Sequence, residues 1–507
     1  MTAAQDPSPS EAPVETAEAE RRLHPMSWLF VLLAQLRQFV VPLIALFFFG
    51  RGGSDDGFGN ELWPLVGVGV LVIVSLWQYF TYRYGVAGDA LVVRQGLLER
   101  SLRVIPFARI HNVALQQSML HRLFGVAEVR LESAGGQKPE AEMRVLRLDD
   151  ALALEALVRG RGRATVATQA GRAPAKVLLE MNPAEVLKLG LISNRGLIVV
   201  GAAFAGLSQV SPRLLPNLFE QWGQTMFGWA GEREFALPEY LLAAASLVAL
   251  GIVALRVFSV LLALLQYYGF RLTRDEGRLT VERGLLARWR TSASRRRIQA
   301  WTMTEGVVHR LFARRSLEVD TAVSEAQNQQ RALRDIAPIA DVATCEDLVE
   351  QLLPGSGWLD LVWRPLPRAA FWRLFVPGVL WLALFTGVLT WRFGAPGLLL
   401  LLWLPWSAYK TRQHVRRAGY ALGNTLVAVR EGWWKRHWRF AEIGKLQALE
   451  LTRSPLDRRY GTATLRLDTA GASAMSPPLQ IRLVPLAEAR ALYRTLSAEL
   501  ARRPLRW

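Results

Sequence analysis

The chain has 507 residues, 51% of them hydrophobic, and a mean hydropathy of +0.16. It is too long for one domain and too apolar for an ordinary soluble protein. The formal net charge is +18, and the single cysteine, Cys345, excludes an internal disulfide and a cysteine-based zinc site. We therefore expect a multidomain membrane protein whose surplus of Lys and Arg lies mainly on the cytoplasmic side.

The N-terminal part of the chain predicts a tail followed by a membrane hairpin. Residues 1–20 are rich in Ala, Glu, Pro, Ser and Thr, which is typical of a disordered segment. Two apolar runs follow, at residues 28–50 and 62–82. Each is close to the length that crosses a hydrocarbon core of about 30 Å as a helix. Residues 27–82 are therefore predicted to form a first transmembrane hairpin.

Residues 83–160 have the pattern of a small domain built mainly of strands. Apolar and polar residues alternate with period two, and Gly and Asp stand at the breaks, as at Gly88 and Asp89. This pattern predicts antiparallel strands. Residues 148–159 then carry apolar residues at helical spacing, with two aspartates near the start. The segment is predicted to be several strands closed by one helix.

The same order, a hairpin followed by a module, occurs three times. A linker is predicted at residues 161–182, with a helix starting at Asn182 and Pro183. The remaining predicted segments are a hairpin at 183–267, a module at 268–354, a hairpin at 369–409 and a module at 410–503. The loops within the hairpins hold few basic residues, namely Arg51, Arg213, Arg233 and Arg392. The positive-inside rule then predicts six spans in the inner membrane, with both termini and all modules cytoplasmic.

The three modules align without a gap over residues 91–134, 279–322 and 427–470. The first two copies are identical at 13 of these 44 positions, and the third copy is more diverged. Each copy carries a glycine at the same place, at Gly96, Gly284 and Gly432. So regular an alignment indicates three copies of one structural unit.

A second repeated motif carries a resemblance to a known family. A basic residue and Ile or Leu are followed by Leu/Val-x-Arg-x-Phe/Tyr-Gly/Ala at residues 120–125, 308–313 and 456–461, where Asp457 replaces the histidine of the other copies. The motif resembles that of the bacterial pleckstrin-homology-like (PH-like) domain. Three such domains, each after a helix pair, are similar to the YdbT-type membrane proteins. This resemblance covers nearly the whole chain outside the tail and linkers.

The resemblance implies a fold and little chemistry. It implies an α+β membrane protein in which each hairpin precedes a small antiparallel β-barrel or sandwich, capped by a C-terminal helix. It implies no established catalytic residue. It also links the chain to envelope stress or resistance to membrane-active peptides.

Two basic, aromatic segments are candidates for contact with a membrane or a partner. Their residues are Arg288, Trp289, Arg290, Arg295, Arg296, Arg297, Trp433, Trp434, Lys435 and Arg436. A cation near an anionic leaflet contributes about 1 kcal/mol, so these segments suit lipid or an acidic partner. The alternative is a strand whose alternate residues are merely solvated. Nucleic acid is not expected, because the chain has no recognised nucleic-acid motif.

Two arginines, Arg37 and Arg256, lie within predicted spans, where a charge is costly and suggests a function. For Arg37, a functional role and an interhelix contact with Gln35, Gln38 or Gln78 are both open. Arg256 is expected to reach the interface with its long side chain. The paired His and Arg of the motif either bind an anion or flank a Leu-Phe core anchor.

The sequence predicts no catalysis. No histidine stands at metal-ligand spacing, and no metalloprotease, nucleotide-binding or nucleophile-elbow motif occurs, so we expect neither an enzyme nor a cofactor. The favoured hypothesis is a scaffold or adaptor in an envelope complex. Its expected partners are anionic lipid and another PH-like-domain membrane protein, with homo-oligomerisation also open. The alternative hypothesis is a transporter or peptide-export component that uses the six-span bundle.

Overall fold

The structure is a computed structural model. It describes residues 21–36, 59–96, 101–107, 110–133, 141–161, 176–210, 216–217, 220–221, 224, 237–275, 277–321, 333–470 and 476–502. The chain divides into two compact units. The first contains Met1–Ala173 with Arg288–Ser292, and the second contains Pro174–Ala287 with Ala293–Trp507. The predicted disordered tail, at residues 1–20, lies outside the described residues.

The first unit contains two apolar helices, two antiparallel sheets and a closing helix. Its helices are α1 (Ser27–Leu36), α2 (Gly59–Thr81), α3 (Met119–Leu123) and α4 (Leu148–Arg161). Its first sheet has the order β1 (Arg21–Arg22), β2 (Arg83–Ala87), β3 (Ala90–Gln95), β4 (Ser101–Pro106). Its second group of strands is β5 (Ile110–Gln117), β6 (Val126–Ser133) and β7 (Ala141–Arg147). β5 also pairs with Arg288–Ser292.

Both groups of strands in the first unit bury side chains in one core. Leu91 of β3, Val129 of β6 and Met143 of β7 are fully buried, and Leu154 of α4 packs with them. The antiparallel strands and the closing helix predicted from periodicity are therefore confirmed. The prediction of a barrel is wrong, because the described strands form separate sheets that face a common core, as in a sandwich.

The second unit holds the other two modules and their helices. Its helices are α5 (Pro183–Ile192), α6 (Arg195–Val210), α7 (Leu237–Tyr267), α8 (Val307–Leu311), α9 (Val342–Leu352), α10 (Ala369–Phe393), α11 (Trp403–Arg417), α12 (Pro455–Tyr460) and α13 (Leu486–Ala501). The strands of its earlier part are β8 (Lys176–Glu180), β9 (Arg271–Asp275), β10 (Arg278–Arg283), β11 (Arg288–Ser294), β12 (Ile298–Glu305), β13 (Arg314–Thr321) and β14 (Asp335–Asp341). The strands of its later part are β15 (Arg364–Pro365), β16 (Gly419–Leu422), β17 (Leu426–Glu431), β18 (Arg436–Glu442), β19 (Leu446–Thr452), β20 (Thr462–Thr469) and β21 (Gln480–Pro485). β8 corrects the predicted linker, because residues 176–180 pair with β9.

Modules two and three are continuous with each other. A seven-stranded sheet has the order β14-β13-β12-β18-β17-β16-β15, so the strands of module three follow those of module two with no break between them. At the β12–β18 contact, Trp301 and Phe440 stack with ring centroids 6.3 Å apart, and both are buried. The edge strand of each half finds its backbone partner in the neighbouring module.

The glycine repeated in all three modules has a backbone role. Gly96, Gly284 and Gly432 have φ values of 118°, 112° and 90°, a region that residues with a side chain rarely adopt. At Gly432, an added Cβ would also lie 2.0 Å from the carbonyl oxygen of Lys435. The repeat therefore keeps glycine at this turn because no other residue fits it.

Fewer helices than predicted are long and apolar enough to span a membrane. Among the described residues there are two, Ala244–Tyr267 and Ala369–Phe393, or three if α5 and α6, bent by 53°, form one span. The first predicted hairpin lies partly outside the described residues. In the third hairpin, a 3-10 helix at Ala395–Leu402 and then α11 replace the predicted second span. Its apolar part, residues 396–409, would cover only about 21 Å as an α-helix.

Candidate functional site

A buried ion pair joins the apolar helix α10 to module three. The Nε of Arg373 donates to Oδ1 of Asp457 at 2.7 Å, and another guanidinium nitrogen donates to Oγ of Ser454 at 2.9 Å. Ser454 and Asp457 also form a capping box at the start of α12. The side chains of Arg373 and Asp457 are only 19% and 7% exposed. The contact therefore fixes the start of a short helix in the module to a membrane helix.

The charge of Asp457 is stabilised by these contacts. Burial alone raises the pKa of this carboxyl, but hydrogen bonds from Arg373, Ser454 and Thr462 outweigh burial and lower the pKa to about 2. Asp457 is therefore ionised at neutral pH. It stands at the motif position where the other two modules have histidine, so this departure from the repeat pattern has a physical reason.

In module one, the equivalent contact is made between two aromatic rings. His121, at the position aligned with Asp457, is buried and its Nδ1 lies 2.6 Å from Oγ of Ser118, the N-cap residue of α3. The ring of Phe30, on α1, has its centroid 4.2 Å from that of His121. The histidine thus links the short helix to the apolar helix that precedes the module.

Module two is joined to its helices by a polar network at the end of α7. The hydroxyl of Tyr267 donates to Oδ2 of Asp335 at 2.6 Å and accepts from Arg195 of α6 at 2.5 Å. Arg283 of β10 donates to the same carboxylate at 2.5 Å. Burial raises the pKa of Asp335, but Arg283 and Arg195 more than offset it, so this pKa lies below its usual value. Helices and sheet therefore meet at one ionised carboxylate.

Two further contacts complete the second junction. Glu185 of α5 accepts two hydrogen bonds from Arg314 of β13, both at 2.9 Å. His309, the motif histidine of this module, lies with Nε2 3.0 Å from Oγ of Ser316. This histidine is therefore engaged within its own module.

The first predicted basic segment lies on a paired strand. Residues 288–292 pair with β5, and Nε of Arg290 lies 3.6 Å from Glu155. Arg288 is exposed, and Trp289 is half-buried.

The cations at Arg295–Arg297 lie in a 3-10 helix that begins after β11. Lys445 donates to the backbone carbonyl of Arg296. Burial, with a smaller contribution from Arg278, lowers the pKa of Arg297 to about 10. Burial and the nearby charges of Arg295 and Arg296 likewise lower the pKa of Lys445, so several cations lie close together here, which favours a bound anion electrostatically.

The second predicted segment forms an aromatic tip beside α11. The ring of Trp433 lies 5.8 Å from that of Trp406 and 5.5 Å from that of Tyr409. Trp434 is 63% exposed, and Lys435 is also exposed. Arg436, by contrast, pairs with Glu305 at 3.0 Å. Residues 433–435, here called the aromatic tip, combine the exposed ring of Trp434 with a cation, as membrane interfaces do.

Arg256 stabilises a break between helices. Its guanidinium donates to the carbonyl oxygens of Leu191 and Ser193 at 3.1 and 3.3 Å, where α5 ends. Ser259 donates to the Ser193 carbonyl at 2.8 Å. These donors satisfy carbonyls that the end of a helix leaves without partners. Arg37 lies outside the described residues, but Gln35 accepts a 2.8 Å hydrogen bond from Ser75 of α2.

Sequence reasoning missed two of the residues that join helices to modules. Arg373 lies inside an apolar run, and that position alone marks it for a partner. The change from histidine to Asp457 in the third motif indicates that partner. Asp335 gives no comparable signal. Within the described ranges, no three His, Cys, Asp or Glu side chains come together in an arrangement that would hold a metal.

Antiparallel sheets with a closing helix, repeated and fixed to apolar helices, define a membrane protein with PH-like domains. The chain belongs to the bacterial PH domain family, whose model matches residues 29–162, 225–353 and 371–500. It is similar to the UPF0699 transmembrane protein YdbT of Bacillus subtilis (strain 168), with 23% identity over 380 residues, 71% of this chain and 74% of that protein. No solved structure matches the chain. The resemblance inferred from the repeated motif is confirmed.

Proposed function

We propose that this protein is a non-catalytic scaffold that holds three PH-like modules at the cytoplasmic face of the inner membrane. The observation that carries the proposal is the set of buried polar contacts between apolar helices and modules, above all that between Arg373 and Asp457. Such contacts need defined geometry, since a buried charge without its partner is costly. Modules attached in this way keep a fixed position on the helices, as a scaffold requires.

Contacts between modules two and three also support the scaffold proposal. Arg439 of β18 forms a buried ion pair with Asp320 of β13, and Ser476 donates to the same aspartate at 2.8 Å. Glu305 accepts from Arg315 of module two at 2.9 Å and from Arg436 of module three at 3.0 Å. The two modules therefore present one continuous surface to a partner.

The aromatic tip is the part of module three proposed to contact the anionic leaflet. Trp434 and Lys435 are exposed beside Trp406 and Tyr409 of α11, and one cation near the surface contributes about 1 kcal/mol. Cytoplasmic termini and a second PH-like-domain membrane protein as partner also belong to the proposal. The basic modules and the sparse charge of the intervening loops support this orientation. A complex of this kind would act in envelope stress or resistance to membrane-active peptides.

Cysteine labelling tests the orientation. Ser211→Cys, directly after α6 in the sequence, and Trp434→Cys are each made in the full chain. Cys345 can stay, because it is buried and burial raises the pKa of its thiol to about 12. A membrane-impermeant maleimide should label Ser211→Cys in intact spheroplasts and Trp434→Cys only after lysis. The opposite pattern would overturn the proposed topology.

A second measurement tests the leaflet contact. An environment-sensitive fluorophore on Trp434→Cys should shift to the blue in bilayers with anionic lipid, relative to neutral bilayers. The matched control is Arg494→Cys, an exposed position on α13. An equal response at both positions would remove the aromatic tip from the proposal. Cross-linking in native membranes, followed by purification, would then identify the partner protein.

A further inference from the structure

Neighbouring modules join through the same two strands and in the same register. In unit two, β18 pairs antiparallel with β12, and the opposite residues are Trp301 with Phe440, Thr302 with Arg439, and Met303 with Trp438. In unit one, β5 pairs with Arg288–Ser292, and Val113 lies opposite Ser292. Val113 aligns with Trp301, and Ser292 aligns with Phe440. The repeat therefore specifies both the strands of this joint and their register.

The chain has a second strand equivalent to β18 and a second strand equivalent to β12 that each lie at the end of a sheet. The first module's equivalent of β18 is β4, and the third module's equivalent of β12 is β19. Among the described strands, β4 is last in the four-stranded sheet and β19 is last in the three-stranded sheet. A strand at the end of a sheet presents backbone donors and acceptors that can pair with another chain.

The side chains of β4 and β19 are more exposed than the aligned side chains of β18 and β12, which pair with each other. Phe440 of β18 is fully buried against module two, whereas Val104, at the aligned position of β4, is 48% exposed. Leu102, two residues earlier, is 63% exposed. Along β12 nearly every residue is buried, whereas along β19 only Leu446 is. Apolar side chains that are buried in the internal joint are thus accessible here.

We propose that β4 of one copy of this protein pairs antiparallel with β19 of a second copy, in the register of β18 with β12. Aligning the repeats gives the opposite residues, which are Val104 with Leu449, Arg103 with Glu450, and Leu102 with Leu451.

These pairs are chemically complementary. Two combine apolar side chains, and the third places opposite charges across the strands, and such cross-strand pairs stabilise a sheet. At the aligned position in the internal joint, Arg439 donates to Oγ1 of Thr302 at 2.5 Å. Glu450, whose side chain is 61% exposed, lies 3.5 Å from Arg466 on β20. A second copy fits because one chain carries both complementary edges.

The resulting contact is head to tail, so it generates rings or open chains of copies. The inference rests on the proposed scaffold function, because it names a surface through which the scaffold assembles. Its failure can be told apart from failure of that function, since maleimide labelling reports membrane placement and the following experiment reports strand pairing.

Cross-linking between two differently tagged full-length copies tests the pairing. One copy carries Arg103→Cys and the other carries Glu450→Cys, and both positions are exposed. Co-expressed in membranes and treated with a mild oxidant, the two copies should form a disulfide-linked heterodimer, because directly opposite residues lie about 5 Å apart. The matched control combines Arg103→Cys with Leu449→Cys, which is one residue out of register. Its heterodimer yield should be about fivefold lower, because a shift of one residue turns the side chain to the other face.

Charge reversal provides an independent measurement. Arg103→Glu in the first copy should lower co-purification with the second copy by about two- to fivefold, and Glu450→Arg in the second copy should restore it. Equal cross-linking in both registers, or failure of both cross-linking and co-purification, would overturn the proposal. A heterodimer formed instead with another PH-like-domain protein would also overturn it, since the partner would not be a second copy.

Discussion

Modules one and three attach the same short helix to a membrane helix by opposite chemistry. In module one, buried His121 packs against the ring of Phe30 on α1. In module three, ionised Asp457 accepts hydrogen bonds from Arg373 on α10. The two positions are equivalent in the repeat. The fold therefore fixes where a module meets its helix, and the partner residue on the helix decides which side chain is accepted there.

The two junctions should also differ in how their stability depends on pH. An aromatic contact depends on shape and burial, and pH does not alter it unless the histidine is protonated. An ion pair depends on the charge of both partners. Substitutions at the equivalent positions should therefore have different consequences in the two modules.

Removing the arginine of module three should have the largest effect. Arg373→Met leaves Asp457 buried without its cation, which costs about 3 kcal/mol. We expect a lower unfolding temperature in detergent and faster proteolysis near α12. Arg392→Met, which removes an exposed arginine from the other end of α10, is the control and should change little.

A double variant refines this prediction. Arg373→Met with Asp457→Asn removes both charges, so it should lose less stability than Arg373→Met alone. If the double variant is less stable than Arg373→Met alone, the unpaired charge of Asp457 does not explain the stability lost in the single variant.

Placing the aspartate of module three into module one should also destabilise the protein. His121→Asp puts a carboxylate against the apolar ring of Phe30, which costs about 2 kcal/mol. Thermal unfolding in detergent measures this loss, and His121→Asn is the control that keeps polarity without charge. Equal losses in the two variants would show that the negative charge is not the cause.

The stability of module three should fall in acid. The pKa of Asp457 in the folded protein is about 2, below the value of about 4 for an unfolded aspartate. Its stabilising contribution is therefore complete above about pH 4 and is lost as the pH falls toward 2. Unfolding temperatures measured from pH 5 to pH 2.5 should fall less steeply for Asp457→Asn than for the natural protein, and parallel curves would contradict the assignment.

The smallest effect concerns the residue that ends the short helix. Gly125 and Gly461 have φ values of 64° and 67°, whereas Ala313 of module two has a φ of 49°. Ala313→Gly should stabilise the protein by about 0.5 kcal/mol, because alanine is strained in the left-handed region. The reverse change in module three, Gly461→Ala, should destabilise by about 1 kcal/mol. Comparing the unfolding temperature of each variant with that of the natural protein checks the predicted gain and the predicted loss of stability.

Local features of the fold were largely predictable. Alternating strands, the closing helices and the helix start at Asn182 follow from short-range pattern, and the structure has each of them. The repeated glycine was visible as a repeat, and its positive φ supplies the reason. The number of spans was overestimated, because apolar composition does not distinguish a spanning α-helix from the 3-10 segment at Ala395–Leu402.

Three copies of one module, each following apolar segments, can be recognised from the amino-acid sequence alone, because repeats and hydrophobic periodicity are properties of neighbouring residues. Tertiary structure decided which strand edges pair and which side chain faces position 457. Arg373 and Asp457 are 84 residues apart, and Thr302 of β12 lies opposite Arg439 of β18, 137 residues away. Contacts of this kind depend on where folded elements lie in space, and no local pattern in the chain specifies that.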